Sequence, residues 1–551
     1  MPEKANLLDK CGHGFSSFFG NTNRKEDIDN CILAFESAVH HTPHGHSDMS
    51  GRLNNLGVSL YYRFSLTGYL TDISNAISYQ QKAVHITPEG HPGMPSWLYN
   101  LGTSLRSRFY CKGNVADISD AISYYQKAVH LTPHGHADMP SQLNSLGVLF
   151  RSRFECKGEL SDISNAISYH QNAVHLTPEG HADMPSWMIN LGNSFLLRFQ
   201  CRGDDISDAI SYHQKAVHLT PEGFANLPNF LNSLGMSFQS RFEHTGDLSD
   251  ISNAILYHQK AVHLTSEGHA DMHRWMNNLG NSFLRRFERT GDLTNISDAI
   301  SYQQKAVDLT PEGHAYMPDF LNNLGISFQC HFEHTGDLAD ISNAISYQQK
   351  AVHITPEGHA DMHKWMNNLG NSFLRRFQRI GDLADISDAI SYQQKAVNLT
   401  PEGHAYMPSM VNNLGNSFRS RFECTGDLAD ISNAISYQQK AVILTPVSHA
   451  DMHRWMNNLG YSFLCRFQHN RDLADISDAI SYQQKAVHLT PEGHADIPRE
   501  LYSLGISFRS RFEHTGDLSD ISNAISYQQK AIYLIPEGHG DIPIQLKNLG
   551  T

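Results

Sequence analysis

The sequence predicts an all-α solenoid of about twelve 45-residue helix-turn-helix repeats, each too small to bury its apolar face without stacking on the next. Three observations carry the prediction. A Leu-Gly dipeptide recurs with its glycine at Gly57, Gly102, Gly147, Gly192, Gly235, Gly280, Gly325, Gly370, Gly415, Gly460, Gly505 and Gly550, and every interval is 45 residues except one of 43. Each interval holds two stretches whose apolar residues fall at three- and four-residue steps, the mark of an amphipathic helix. A longer period runs through the second stretch, which reads ISNA at Asn75, Asn165, Asn253, Asn343, Asn433 and Asn523 but ISDA at Asp120, Asp208, Asp298, Asp388 and Asp478. The unit of duplication is therefore a 90-residue pair, and Trp275, Trp365 and Trp455 keep the same spacing.

Taken in order, residues 1–48 read as a degenerate repeat, because Gly12 lies 45 residues before Gly57 and Phe18-Phe19 fall where Arg63-Phe64 sit one repeat later. Residues 49–545 are the tandem repeats, and 546–551 are the truncated start of a further one, whose apolar face would lack the polar cap that repeat arrays normally carry. The short interval arises between Cys201 and Ile206, where CRGDDIS replaces the longer CKGELSDIS. The deletion is expected to shorten a loop and spare both helices.

Residues 271–310 illustrate one unit. Met272, Met276, Leu279, Phe283 and Phe287 form the apolar stripe of a first helix, with Asp271 as N-cap and Gly291 as C-terminal stop. A second helix runs from about Asn295 to Leu309 with Ile296, Ala299, Ile300, Ala306 and Val307 inward, and Pro311 ends it.

Composition removes several function classes. A net charge of -14 with a pI near 6.2 disfavours nucleic acid and anionic membrane surfaces as partners, since both call for a basic face. No stretch approaches the roughly 18 uninterrupted apolar residues of a membrane span. The N-terminus, MPEKANLLDKCGHG, lacks the basic and apolar regions of a signal peptide, so a cytoplasmic location is expected. The eight cysteines form no CxxC pair, and Cys111, Cys156 and Cys201 recur in register in successive repeats. Stacked helices lie about 8–10 Å apart, beyond disulfide reach, so reduced thiols are expected.

The pattern resembles the tetratricopeptide repeat, whose signature places Leu-Gly in the first helix and spaced Ala, aromatic, Ala and Pro residues in the second. In one unit the match is Leu101-Gly102, Ala121, Tyr125, Ala128 and Pro133. Most other units carry Gln in place of that Tyr, as at Gln80 and Gln304, and Trp97 lies four residues before Leu101 where the family has three. The family repeat is 34 residues, so the extra length falls in the RFERTGDL-type turn and the TPEGHADM-type connection. The LNNLG core is similar to kinesin-light-chain-type repeats. The long form resembles fungal tetratricopeptide-like proteins described as "aromatic di-alanine and TPR containing", some of which continue into a caspase-like CHAT protease domain. The resemblance implies a right-handed superhelix whose first helices line a concave groove that holds a peptide.

Chemistry was sought in the 34 histidines. Most recur in register, as in the PEGH loop at His91, His181, His314, His359, His404, His494 and His539, and a residue that repeats with the fold serves the fold. The HADMH segments pair His269 with His273, His359 with His363 and His449 with His453 at a spacing that could chelate a metal on a helix, but no third ligand or HExxH glutamate accompanies them. Neither a phosphate loop nor a nucleophile elbow is present. We therefore expect no enzyme activity, no metal and no cofactor. If every histidine kept its ordinary value, the charge would swing from -14 to about +20 as the pH falls through about 6.5, with a solubility minimum on the way.

The remaining candidate is the polar stripe of the first helices: Arg274, Asn277, Asn278, Asn281 and Arg285; then Lys364, Asn367, Asn368, Asn371 and Arg375; then Arg454, Asn457 and Asn458. Asparagine amides can bond a peptide backbone in both directions, and arginine forks suit carboxylates. The same ladder would arise from solvated helix faces copied by duplication. Two functions follow: a non-enzymatic scaffold binding protein or peptide partners in the groove, or the sensor arm of a larger signalling protein such as a CHAT-type protease.

Overall fold

A computed structural model of the chain describes residues 2–534 apart from residues 267, 448, 492 and 495. The described residues form 24 α-helices and no strands. They fall into two compact units, Met1–His269 and Ala270–Thr551. The predicted truncated repeat at 546–551, together with Gly550 and His539, lies outside the described residues.

In the first unit the helix pairs are α1 (Pro2–Thr22) with α2 (Lys25–His40), α3 (Met49–Thr67) with α4 (Leu70–Ile86), and α5 (Met94–Lys112) with α6 (Val115–Leu131). There follow α7 (Met139–Lys157) with α8 (Leu160–Leu176), α9 (Met184–Arg202) with α10 (Ser207–Leu219), and α11 (Leu227–Thr245) with α12 (Leu248–Leu264). In the second unit they are α13 (Met272–Thr290) with α14 (Leu293–Leu309), α15 (Met317–Thr335) with α16 (Leu338–Ile354), and α17 (Met362–Ile380) with α18 (Leu383–Leu399). The last three are α19 (Met407–Thr425) with α20 (Leu428–Leu444), α21 (Met452–Asn470) with α22 (Leu473–Leu489), and α23 (Ile497–Thr515) with α24 (Leu518–Tyr533). Within each unit a first helix packs on its own partner and that partner packs on the next first helix, the arrangement of a helical solenoid.

The degenerate first repeat follows the same rule. Gly12 faces the ring of Phe35 across the helix pair, and Phe19 is buried like its counterpart Phe64.

The turn inside each pair is built by two adjacent residues with opposite tasks. Gly291 takes the left-handed conformation at φ 68° and its N–H bonds the Phe287 carbonyl, closing α13. Asp292 then accepts from the Thr294 N–H and opens α14 at Leu293, two residues earlier than the sequence suggested. Asp271 does sit at the start of α13, but its side chain makes no capping bond and takes the Arg274 guanidinium instead. The predicted inward set of α14 is buried except Ile300, which is half-buried.

The shortened repeat corrects one expectation. Helix α10 has 13 residues where its neighbours α8 and α12 have 17, so the deletion removes the first turn of the second helix while α9 keeps its full 19 residues. Asp205 makes up part of the loss by accepting the Ser207 N–H at 2.9 Å, a bond that holds its carboxyl below the usual value.

A second constraint on eight of the described pairs is an arginine near the end of the first helix that forks onto an aspartate nine residues later. Arg421 reaches Asp430 at 2.7 and 2.6 Å, and Arg63, Arg108, Arg153, Arg241, Arg376, Arg466 and Arg511 do the same to their partners. Asp430 is 3% exposed, so its charge depends on this fork. The bond raises the Arg421 pKa above its ordinary value. Because Arg421 itself is part exposed, Arg421→Ala is expected to lower stability by about 2–3 kcal/mol, less than a fully buried pair would cost. Arg421→Lys should recover part of it, since a single ammonium cannot fork. Urea denaturation of the two variants checks both expectations.

The connection between repeats is a second fixed turn. Pro356, Glu357, Gly358 and His359 close through the His359 N–H on the Pro356 carbonyl, with Gly358 at φ +83° as a type II turn requires. The His359 ring then accepts the Asp361 N–H at 3.2 Å and stacks on Trp365 at 4.9 Å. His91, His181, His314, His404 and His494 accept in the same way, which is the structural service that their register implied.

Candidate functional site

The first helices meet their neighbours through the LNNLG segment, and the glycine explains how. A Cβ on Gly370 would lie 2.6 Å from Gln393 Cγ and 3.0 Å from the Ala389 carbonyl oxygen, so glycine is what lets α17 approach α18. Gln393 lies over this glycine, fully buried, with its amide donating to Asn371 at 2.9 Å and its carbonyl accepting the Ser417 hydroxyl of the next first helix at 2.6 Å. One side chain thus ties its own repeat to the following one.

The position corresponding to Tyr125 is therefore Gln303, not Gln304 as the sequence alignment placed it. Gln303 is buried and Gln304 is half-buried. In three consecutive repeats of the first unit the position is a histidine. His170, His213 and His258 are all fully buried against Gly147, Gly192 and Gly235, and the first two bond Ser194 and Ser237 at 3.1 and 2.8 Å. Burial holds their pKa values down to about 3, about 4 and about 3, with Arg151 adding to the effect at His170.

The thirteen candidate residues of the polar stripe all lie in the second unit and divide into three groups. Asn277, Asn367 and Asn457 are buried. Asn277 and Asn367 belong to a ladder in which the second asparagine of one LNN segment donates to the first asparagine of the preceding repeat: Asn323 to Asn277 at 3.2 Å, Asn368 to Asn322 at 3.1 Å, Asn413 to Asn367 at 3.3 Å and Asn458 to Asn412 at 3.1 Å. Ser503 stands in the donor's place after Asn457, whose buried carbonyl oxygen has no partner. The first unit repeats it with Asn100 to Asn54 and Asn190 to Asn144.

The second group, Asn278, Asn281, Asn368, Asn371 and Asn458, is half-buried. Asn281 and Asn371 accept from Gln303 and Gln393 at 2.9 Å. An amide has four hydrogen-bonding sites and one such bond uses one of them.

The third group carries charge at the rim. Arg274 pairs with Asp271 and lies over the rings of Trp275 and Tyr316. Lys364 pairs with Asp361 at 2.6 Å and lies over Tyr406. Burial raises the Asp361 pKa, but the Lys364 bond together with the charges of Lys364, His359 and His363 makes the net shift downward. Arg285 pairs with Glu288, Arg375 with Glu333, and Arg454 with Asp451 and Asp496. Together Lys364, Asn368, Asn371 and Arg375 make one accessible row along α17, and Arg274, Asn278, Asn281 and Arg285 make the matching row on α13.

Sequence reasoning missed the burial of the first asparagine, the arginine-aspartate fork and the role of Gln393. The fork was available as an Arg followed by an Asp nine residues later in most repeats. The HADMH pairing was also drawn to the wrong neighbour, since His273, His363 and His453 meet His314, His404 and His494 of the following loop, with ring centroids 4.8, 4.9 and 5.0 Å apart.

No family model matches the chain, and no curated protein does. Among solved structures it is similar to the human IFIT1 dimer with PPP-AAAA, at 14% identity and a TM-score of 0.44 over 91% of this chain and 94% of that one. It is also similar to a chain of the APC/C hetero-tetramer Cut9-Hcn1, at 14% identity and 0.39 over 99% and 96%, and to yeast Tom70, at 14% and 0.36 over 93% and 96%. Likenesses at this level bear on fold and carry no argument about ligands. The stacked pairs, the glycine contact and the 45-residue period define a tetratricopeptide-type α-solenoid. No described helix is long and apolar enough to cross a membrane.

Proposed function

We propose that the chain is a non-enzymatic scaffold that recognises peptide segments of other proteins, in the cytoplasm, through the accessible rows of its first helices. The observation that carries the reading is the 90-residue recurrence of a cation, two amides and a second cation on α13 and α17, all at least part accessible, with Asn281 and Asn371 held from behind by the buried Gln303 and Gln393. The asparagine ladder accounts for Asn277 and Asn367 structurally and Asn457 is buried, so the recognising members are Arg274, Asn278, Asn281, Arg285, Lys364, Asn368, Asn371, Arg375, Arg454 and Asn458. Their ion pairs are part exposed and worth little, so an incoming carboxylate exchanges for Asp361 or Glu333 at low cost. The net charge of -14 favours a protein partner over a nucleic acid.

The sensor-arm reading, in which the same rows serve a CHAT-type protease in a fungal protein, rests on the resemblance alone and uses the same surface.

The test is to select peptides on the full chain from a random library and to measure their affinity for a variant carrying Arg285→Ala and Arg375→Ala. A drop of about tenfold or more, the loss of one or two charged hydrogen bonds, with unchanged thermal unfolding supports the surface. Equal affinity discards it. Asn277→Ala with Asn367→Ala is the contrasting variant, expected to lose stability because it cuts the ladder.

A further inference from the structure

Three junctions in the second unit repeat the same histidine contact at 90-residue intervals, and the third differs from the other two. His273 meets His314 beside Tyr316 and Phe320, and His363 meets His404 beside Tyr406, with Met410 at the position of Phe320. At the third junction His453 meets His494, and the residues in the places of the tyrosine and of Phe320 are Asp496 and Glu500.

The two carboxylates change what the junction can hold. His453, His494 and Asp496 bring one ligand atom each within 4.8 Å of one another. Glu500 is 0% exposed, with one oxygen 2.6 Å from His453 Nδ1 and the other taking the Thr490 hydroxyl. A carboxylate on Nδ1 fixes that nitrogen as the donor and leaves Nε2 as the ligand atom, the support commonly found behind metal-bound histidine. At the two sister junctions the buried Nε2 of His273 and of His363 has no such arrangement around it and no hydrogen-bond partner.

We propose that this junction is a divalent-metal site, with His453, His494 and Asp496 as ligands to Zn2+ and Glu500 behind His453. Two imidazoles and a carboxylate suit Zn2+ in a tetrahedral site whose fourth position is left to water. Two present bonds compete. Asp496 accepts from Arg454 at 2.6 Å and from Arg499 at 3.3 Å, but both arginines are well exposed and such pairs exchange readily. His494 Nδ1 accepts the Asp496 N–H at 3.1 Å, and ligation gives up that single neutral bond. The site ties the start of α21 to the loop before α23, and it stands independently of the peptide-binding reading.

The experiment is a titration of the full chain with Zn2+ against a chromophoric chelator, repeated with Co2+ for its visible absorption in tetrahedral coordination. One saturable ion per chain is expected. His494→Ala and Asp496→Tyr should each weaken binding by about 100-fold or more, and Glu500→Gln by about 10- to 100-fold, with unchanged helical circular dichroism. His404→Ala, at a sister junction, should leave the titration as it is. The proposal is overturned if no one-per-chain ion is taken up, if His494→Ala binds as the parent does, or if His404→Ala lowers the affinity equally. The first of these outcomes would leave His453 and Glu500 as a buried hydrogen-bonded pair.

Discussion

Lowering the pH from 7 to 5 is expected to destabilise the repeats around His170, His213 and His258 more than the second-unit repeats that carry glutamine in their place, where burial also lowers His273 and His363. In the unfolded chain each of these imidazoles takes a proton near pH 6.5. In the folded chain burial prevents that until about pH 3, 4 and 3. Between those limits the unfolded state binds more protons. The contribution is therefore full above pH 6.5 and is lost as the pH falls toward 4. Each histidine accounts for about 1.4 kcal/mol per pH unit, so the three together reach about 4 kcal/mol for each pH unit in that window. Repeats of a solenoid open locally, so the loss should be read repeat by repeat. Hydrogen exchange at pH 7, 6 and 5 should show protection falling in α7 to α12 first. Replacing all three histidines by Gln, the residue at Gln303, Gln348 and Gln393, should flatten the profile. A profile unchanged by that replacement would refute the assignment. The same burial corrects the charge expected from composition, because these three histidines stay neutral well below pH 6.5.

Gly370→Ala should cost about 2 kcal/mol or more, although alanine is the better helix former. The new methyl would meet Gln393 Cγ at 2.6 Å and the Ala389 carbonyl oxygen at 3.0 Å. Gln393 cannot swing away without giving up Asn371 and Ser417. Overpacking of this kind costs about 1–3 kcal/mol and the lost bonds add to it, against a propensity gain of at most about 1. Gly51→Ala is the control. Its methyl would find one atom at 3.9 Å, so the propensity gain should appear undiminished. Thermal unfolding of the two variants separates packing from propensity.

The period, the two helices per repeat and the turns were legible because each depends on residue types whose effect is local. Gly291 stops a helix through its own backbone, and Pro356 with Gly358 sets a turn without help from elsewhere. The burial of Asn277 was not legible, because it depends on Asn323 from the next first helix and an amide looks polar wherever it stands. Gln303 and Gln304 are likewise indistinguishable by type, and helical phase decides which lies over Gly280. The deletion near Cys201 was misplaced for a related reason. A loop and the first turn of a helix have similar compositions, and Asp205 supplies a cap at either position.

The asparagine ladder has a direction. Each bond runs from an amide donor to an acceptor 46 residues nearer the N-terminus. During synthesis the acceptor leaves the ribosome first, so each new first helix that carries the second asparagine arrives with a donor for a surface already made. The array grows by docking onto its own finished end, and its last repeat at any moment presents the template for the one to come.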